Sequence, residues 1–162
     1  RTTDIDVVKE FLRRDDGKEF FMQNFIRLKK GQIPHPVTGE ETSASELLAR
    51  YSATFGKAIF KRAGHPVFMA LKVGGFIDSW ETNPDEKWHI TSMMRYRSRR
   101  EVFEVGCDPV FDDIHIFKTA AIEKTASFPV QIKQAMIMRP GVYVPLLLVL
   151  LATIAQLFLS QM

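Results

Sequence analysis

An α+β domain followed by a single membrane-spanning helix is what this sequence predicts, and three observations predict it. Helix-like and strand-like stretches alternate through most of the chain. The strand-like runs are short and bounded by glycine, proline and aspartate. The last stretch, VYVPLLLVLLATIAQLFL at residues 142–159, carries no charge.

That last stretch governs how the rest is read. About 18 helical residues rising about 1.5 Å each reach roughly 27 Å, enough to cross a hydrocarbon core with little tilt. Gln156 is its one strongly polar side chain, because the Thr153 hydroxyl can bond back to its own helix. Pro140 and Pro145 fall in the first turns, where a missing N–H costs least. A buried core helix is the competing reading, but such helices carry shorter, more interrupted apolar runs. The expected organisation is an N-terminal helix (1–16), a folded domain (17–130), a juxtamembrane linker (131–141) and the span (142–160).

Composition agrees. The chain of 162 residues is 46% hydrophobic and 25% charged, and its mean hydropathy is -0.07. A domain on one anchor fits these values, and a polytopic protein does not. Net charge is +3. Basic residues gather at Arg95, Arg97, Arg99 and Arg100, and again ahead of the tail at Lys133 and Arg139. Nucleic acid is not an expected partner, since that would want a long basic stripe with interleaved aromatics. A short basic collar beside a span is better explained by anionic headgroups and orientation. Lys133 and Arg139 precede the span, and only Ser160, Gln161 and Met162 follow it. The positive-inside rule then puts the domain in the cytoplasm and the C-terminus across the membrane. The single cysteine, Cys107, excludes an internal disulfide and thiolate metal sites within one chain. Residues 1–9 are polar and charged, unlike a signal peptide.

Taken in order, residues 5–14 (IDVVKEFLRR) read as an amphipathic helix capped by Asp4, with Ile5, Val8, Phe11 and Leu12 on one stripe. Residues 19–28 (EFFMQNFIRL) read as a strand with apolar residues on both faces, hence central and covered on both sides. Residues 29–42 hold two prolines and two glycines and read as a loop. Ser43 and Glu46 form a capping box for a helix running to about Ala63, with Gly64 as its stop. Residues 66–77 read as the second strand, bent at Gly74-Gly75, and residues 88–96 as its hairpin partner. Ser98 caps a helix broken near Asp108-Pro109 and resuming to about Ala120. Residues 122–130 read as the fourth strand, and residues 131–139 as a link with helical character along the membrane surface. The order β-α-β-β-α-β is that of a ferredoxin-like split-βαβ unit.

Several blocks carry a resemblance: EFFMQNFIRLK, GHPVFMALKVGGFI, MRYRSRREVFEV and TAAIEKTASFPV. They resemble an uncharacterised bacterial family of the dimeric α/β-barrel superfamily, over roughly residues 17–130. The resemblance implies a four-stranded antiparallel sheet with two helices on one face. On the other face it implies a second copy, so that two sheets close into a barrel. Relatives of this kind include cofactor-free monooxygenases, haem-degrading enzymes, isomerases and plain binding proteins. The membrane tail departs from the usual pattern, and a shared fold transfers no activity.

The chemistry-bearing residues are few. His35, His65, His89 and His115 have no ligand spacing to one another, so no metal and no cofactor is expected. Asn24 sits mid-strand among apolar residues, Tyr96 ends the third strand, and His89 alternates with its apolar set. Together they are the candidate pocket. A buried amide at Asn24 equally fits a structural bond. The arginines at 95, 97, 99 and 100 stand at a strand-to-helix junction, where an anion or headgroup can bind. Lys133 and Arg139 are read as headgroup contacts. Gln156 is read as a helix–helix contact within the membrane. No glycine-rich phosphate loop and no Ser-His-Asp set can be placed.

The expectation is a tail-anchored, non-catalytic accessory subunit on a larger integral-membrane complex, respiratory or photosynthetic for example. The alternative is a tethered cofactor-free monooxygenase or isomerase acting on a lipophilic substrate in a pocket formed by Asn24, His89 and Tyr96. A scaffold would instead fill that space with Phe21, Phe25, Phe68 and Met93. A homodimer through the sheet face is compatible with either.

Overall fold

The computed structural model describes residues 4–83, 86–135 and 140–160. The chain forms two compact units, residues 1–131 and 132–162.

The first unit begins with α1 (Ile5–Arg13) and β1 (Phe20–Leu28). A short ribbon follows, β2 (Gln32–Pro34) with β3 (Glu41–Ser43), and then α2 (Ala44–Phe60). The edge hairpin is β4 (His65–Leu71) and β5 (Ile90–Tyr96). Two short helices, α3 (Arg99–Gly106) and α4 (His115–Ala121), lead into β6 (Ile122–Val130). The sheet order is β4-β5-β1-β6, with every neighbour antiparallel. This is a ferredoxin-like α+β fold, as its sequence order predicts.

Alternation along β1 divides the sheet into two faces. Phe20, Met22, Ile26 and Leu28 point to the helices and join the core with Leu47, Leu48 and Ile59 of α2. Tyr96 and Ile90 of β5 share that side, as does Phe117 of α4 lower in the same core. On the opposite face lie Phe21, Gln23, Phe25 and Arg27, with Thr91 and Met93 beside them on β5. Among the described residues no helix of the first unit packs on this second face, and Phe128 is 46% exposed. The expectation that β1 is central holds; the expectation that both its faces are covered does not hold within one chain.

Local chemistry explains where the elements begin and end. The Ser43 hydroxyl accepts from the Glu46 N–H, and the Glu46 carboxylate accepts from the Ser43 N–H, closing the expected capping box. Asp4 caps α1 through the Asp6 and Val7 N–H groups. Four expectations need correction. The stretch 29–42 is a two-stranded ribbon rather than a loop, because His35 Nδ1 accepts from the Val37 and Thr38 N–H groups and folds the turn. The α2 helix stops at Phe60, and Ala63 rather than Gly64 takes the left-handed conformation, at φ 58°. Gly64 is needed for space: a Cβ there would lie 2.5 Å from Ile59 Cγ1 and 2.8 Å from the Arg95 carbonyl. Strand β4 ends at Leu71, short of Gly74-Gly75, and its irregularity sits between Pro66 and Phe68. Residues 131–135 form no helix, and residues 136–139, with Arg139, lie outside the described residues.

The second unit is dominated by α5 (Pro140–Leu159), 20 residues long. Among the described residues it is the one helix long and apolar enough to cross a membrane. None of its side chains is buried.

Candidate functional site

The three candidate pocket residues do not converge. Asn24 lies on the helix-facing side of β1, where its amide is hydrogen-bonded at both ends. Nδ2 donates to the Met22 carbonyl at 3.1 Å, and Oδ1 accepts from the Ser127 hydroxyl at 2.7 Å. The structural bond is therefore the role its surroundings give it. Tyr96 is on the same side but faces Phe20, four residues along β1 from Asn24, or roughly 13 Å. Its ring stacks on Phe20 at 5.3 Å and packs against Ile59. Burial pushes its hydroxyl well above the ordinary tyrosine range, with the neighbouring Tyr51 and Glu101 adding to the shift. His89 sits just before β5. Its ring Nδ1 accepts from the Leu28 N–H at 3.1 Å, and its backbone N–H donates to the Ile26 carbonyl at 2.8 Å. The ring thus continues the sheet ladder where β1 shifts register between Arg27 and Leu28.

Two side chains of the arginine cluster, Arg95 and Arg99, are engaged within the chain. Arg95 donates from Nε to Glu19 at 2.6 Å and from Nη1 to the Ala63 carbonyl at 2.7 Å. The buried Glu101 accepts from the Arg97 N–H at 2.9 Å, and the Ser98 hydroxyl accepts from the Glu101 N–H. Arg99 lies over the Phe11 ring of α1 at 5.2 Å. The first N–H groups of α3, at Arg99 and Arg100, donate to the carboxylate of Asp15. Desolvation works against ionising Asp15, but the N–H groups of Gly17, Arg100 and Arg99 and the Arg100 charge hold its carboxyl below the usual range. A carboxylate of the chain itself thus occupies the place where an external anion would sit at this helix start. Beside it, Leu12, Asp15, Arg100, Phe103, Glu104 and Cys107 line a shallow groove of about 430 Å³ between α1 and α3. Lys133 is exposed in the segment after β6, and Gln156 is exposed on α5.

The open sheet face is the surface that single-residue reasoning undervalued. Register places Phe21, Phe25, Phe68 and Met93 on it together. The Phe25 ring lies 5.9 Å from Trp88 and 6.0 Å from Phe128, forming an aromatic trio. Gln23, opposite Met93 on one side and Phe128 on the other, donates to the Thr91 hydroxyl at 2.6 Å. At the end of this face Lys124 pairs with Glu86 and Arg27 with Glu123, both at 2.7 Å. Arg27 Nε and Glu86 Oε1 are buried there without a partner in the single chain. The signal was present in the alternation Phe21, Gln23, Phe25, Arg27, but nothing local to Trp88 or Glu86 shows that they meet Phe25 and Lys124. Among the described residues no cluster of histidine, cysteine and carboxylate side chains has metal-binding geometry.

Comparison with known proteins supports the architecture. No family model matches the chain, and no curated protein matches it. Among solved structures it is similar to the RPA0582 protein of unknown function from Rhodopseudomonas palustris. The TM-score is 0.66 at 22% identity, over 83% of this chain and 97% of that one. The methylated form of that protein gives a TM-score of 0.65 at 24% identity, over 86% and 96% of the two chains. A dimeric protein of unknown function and ferredoxin-like fold from Bacteroides fragilis is more distant, with a TM-score of 0.38 at 15% identity over 70% and 96%. The first two likenesses speak to fold alone and carry no activity with them.

Proposed function

We propose that this chain is a membrane-tethered, non-catalytic accessory subunit, held to the bacterial inner membrane by α5 with its folded domain in the cytoplasm. The domain would serve as a docking module for a larger integral-membrane complex, and its family would lie within the dimeric α/β-barrel group. The observation that carries this reading is the contrast between the two sheet faces. Asn24, Tyr96 and His89 are engaged in internal bonds or in the core, while the open face carries Phe25, Phe68 and Met93 half-buried and Phe128 at 46% exposure. Such a face is made to be closed by another sheet or subunit, and a second copy through that face is the simplest partner. The arginine junction, with Asp15 in place, acts to join α1 to α3. Lys133 and Arg139 remain suited to anionic headgroups.

A second reading, a tethered enzyme for a lipophilic substrate, draws on Gln23. It is a polar group amid Phe21, Phe25, Met93 and Phe128, so a closed barrel would hold one amide within an apolar lining. Gentle extraction from native membranes, size separation and identification of co-migrating proteins tests the first reading. Co-migration with a large membrane assembly is expected. Migration no larger than a dimer would overturn it in favour of the second.

A further inference from the structure

In α5, alternating steps of three and four residues connect Val142, Pro145, Val149, Ala152, Gln156 and Leu159. At about 100° per residue these six fall within a stripe about 100° wide. The stripe is the slim side of the helix. Leu147, Leu150, Leu151, Ile154 and Phe158 occupy the opposite side.

Polarity singles out the same stripe. The Thr153 hydroxyl donates to the Val149 carbonyl at 2.8 Å and the Ser160 hydroxyl to the Leu157 carbonyl at 2.9 Å, so both are satisfied within the helix. The Gln156 side-chain amide has no partner among the described residues. It lies about 8 Å along the axis from the midpoint of the apolar run, well inside a half-thickness of about 15 Å. A lone amide at that depth favours a partner on another helix.

We propose that α5 pairs with the α5 of a second copy of this chain along this stripe, with the two Gln156 amides bonded to each other. An amide both donates and accepts, so it complements its own copy, as a lysine or an aspartate would not. Positions spaced alternately by three and four residues are those that a left-handed pair of helices brings to its seam. A single polar residue in such a seam fixes register, and Ala152 one step earlier lets the backbones approach. Two copies entering the membrane with the same orientation bring like positions together, as a parallel pair requires. The proposal rests on the membrane reading of α5 and not on the accessory role.

The test uses the full chain in native membranes with Cys107→Ser, so that each introduced cysteine is the one thiol of this sequence. Val149→Cys and Ala152→Cys are compared with Leu150→Cys and Ile154→Cys under mild oxidation. Disulfide-linked self-dimers at 149 and 152, with little at 150 and 154, are expected. Equal linking at all four positions, or none at any, overturns the pairing. So does a linked product of another mass with no self-dimer. Adding Gln156→Leu should weaken association about 3- to 30-fold, whereas Gln156→Asn should retain most of it. No change with Gln156→Leu removes the amide from the interface. Alkaline carbonate extraction separates the premises: release of the chain overturns the span itself, and retention without stripe-specific linking overturns the pairing alone.

Discussion

The Asp15 carboxylate receives the backbone N–H of Arg100 at 3.2 Å across a separation of 85 residues. Together with the bond from the Arg99 N–H, this makes Asp15 a helix cap supplied from outside the helix it serves. It fastens α1, none of whose residues is buried, to the start of α3.

Removing the carboxylate should loosen that fastening. Asp15→Ala is expected to cost about 1 kcal/mol, in the range of a lost helix cap. Denaturant unfolding of the full chain in detergent checks this. The pH sign follows from a folded-state pKa below the unfolded value. The contribution of Asp15 is present above that unfolded value and fades as pH falls through the folded one. The gap between wild type and Asp15→Asn should therefore narrow on acidification.

Tyr96 should behave as a core residue that stays neutral. Tyr96→Ala is expected to cost about 3–5 kcal/mol, and Tyr96→Phe much less. Burial raises its hydroxyl above the ordinary value of 10.0, so its contribution is complete below that pH and is lost as pH rises toward the folded pKa. The chain has three tyrosines. Absorbance titration should show Tyr96 ionising together with unfolding. Its ionisation in the intact fold would contradict the buried placement.

Gly64 is a steric requirement. Gly64→Ala forces a Cβ onto Ile59 and the Arg95 carbonyl and should cost about 1–3 kcal/mol. A stabilised variant, which helix-ending glycines often yield elsewhere, would show that the turn can relax.

The open face predicts its own variant. Phe128 is half-exposed, so Phe128→Glu should change stability by no more than about 0.5 kcal/mol. It should nevertheless abolish any self-association through the sheet. Sedimentation in detergent, beside thermal unfolding, reads both effects. Unaltered association would place the partner elsewhere.

How far the chain could be read depended on whether a feature was local. Ser43 with Glu46, Asp4 before α1, and the strand at 122–130 follow from nearest neighbours, and all appear as expected. The sheet order follows from alternation and connectivity. Asn24 shows where local reading stops. Its polarity on an apolar face was visible, but Ser127, which satisfies it, is 103 residues away. The arginines illustrate the same limit, since their basic run was plain while Asp15, which takes the helix start, lies far upstream. Trp88 and Glu86 were invisible as face residues because their partners, Phe25 and Lys124, are far away in sequence.

Strand β1 is made early and completed late. Phe25 and Thr125, joined by a hydrogen bond across the sheet, are 100 residues apart. At about 5–20 residues per second, β1 waits roughly 5–20 s for β6 to be synthesised. During that wait Phe20, Phe21 and Phe25 have no sheet neighbour on one side and at first none on either. The nascent chain is therefore most exposed to mispairing before the fold exists. Slowing translation between residues 30 and 120 should increase its demand for chaperones, without altering the finished protein.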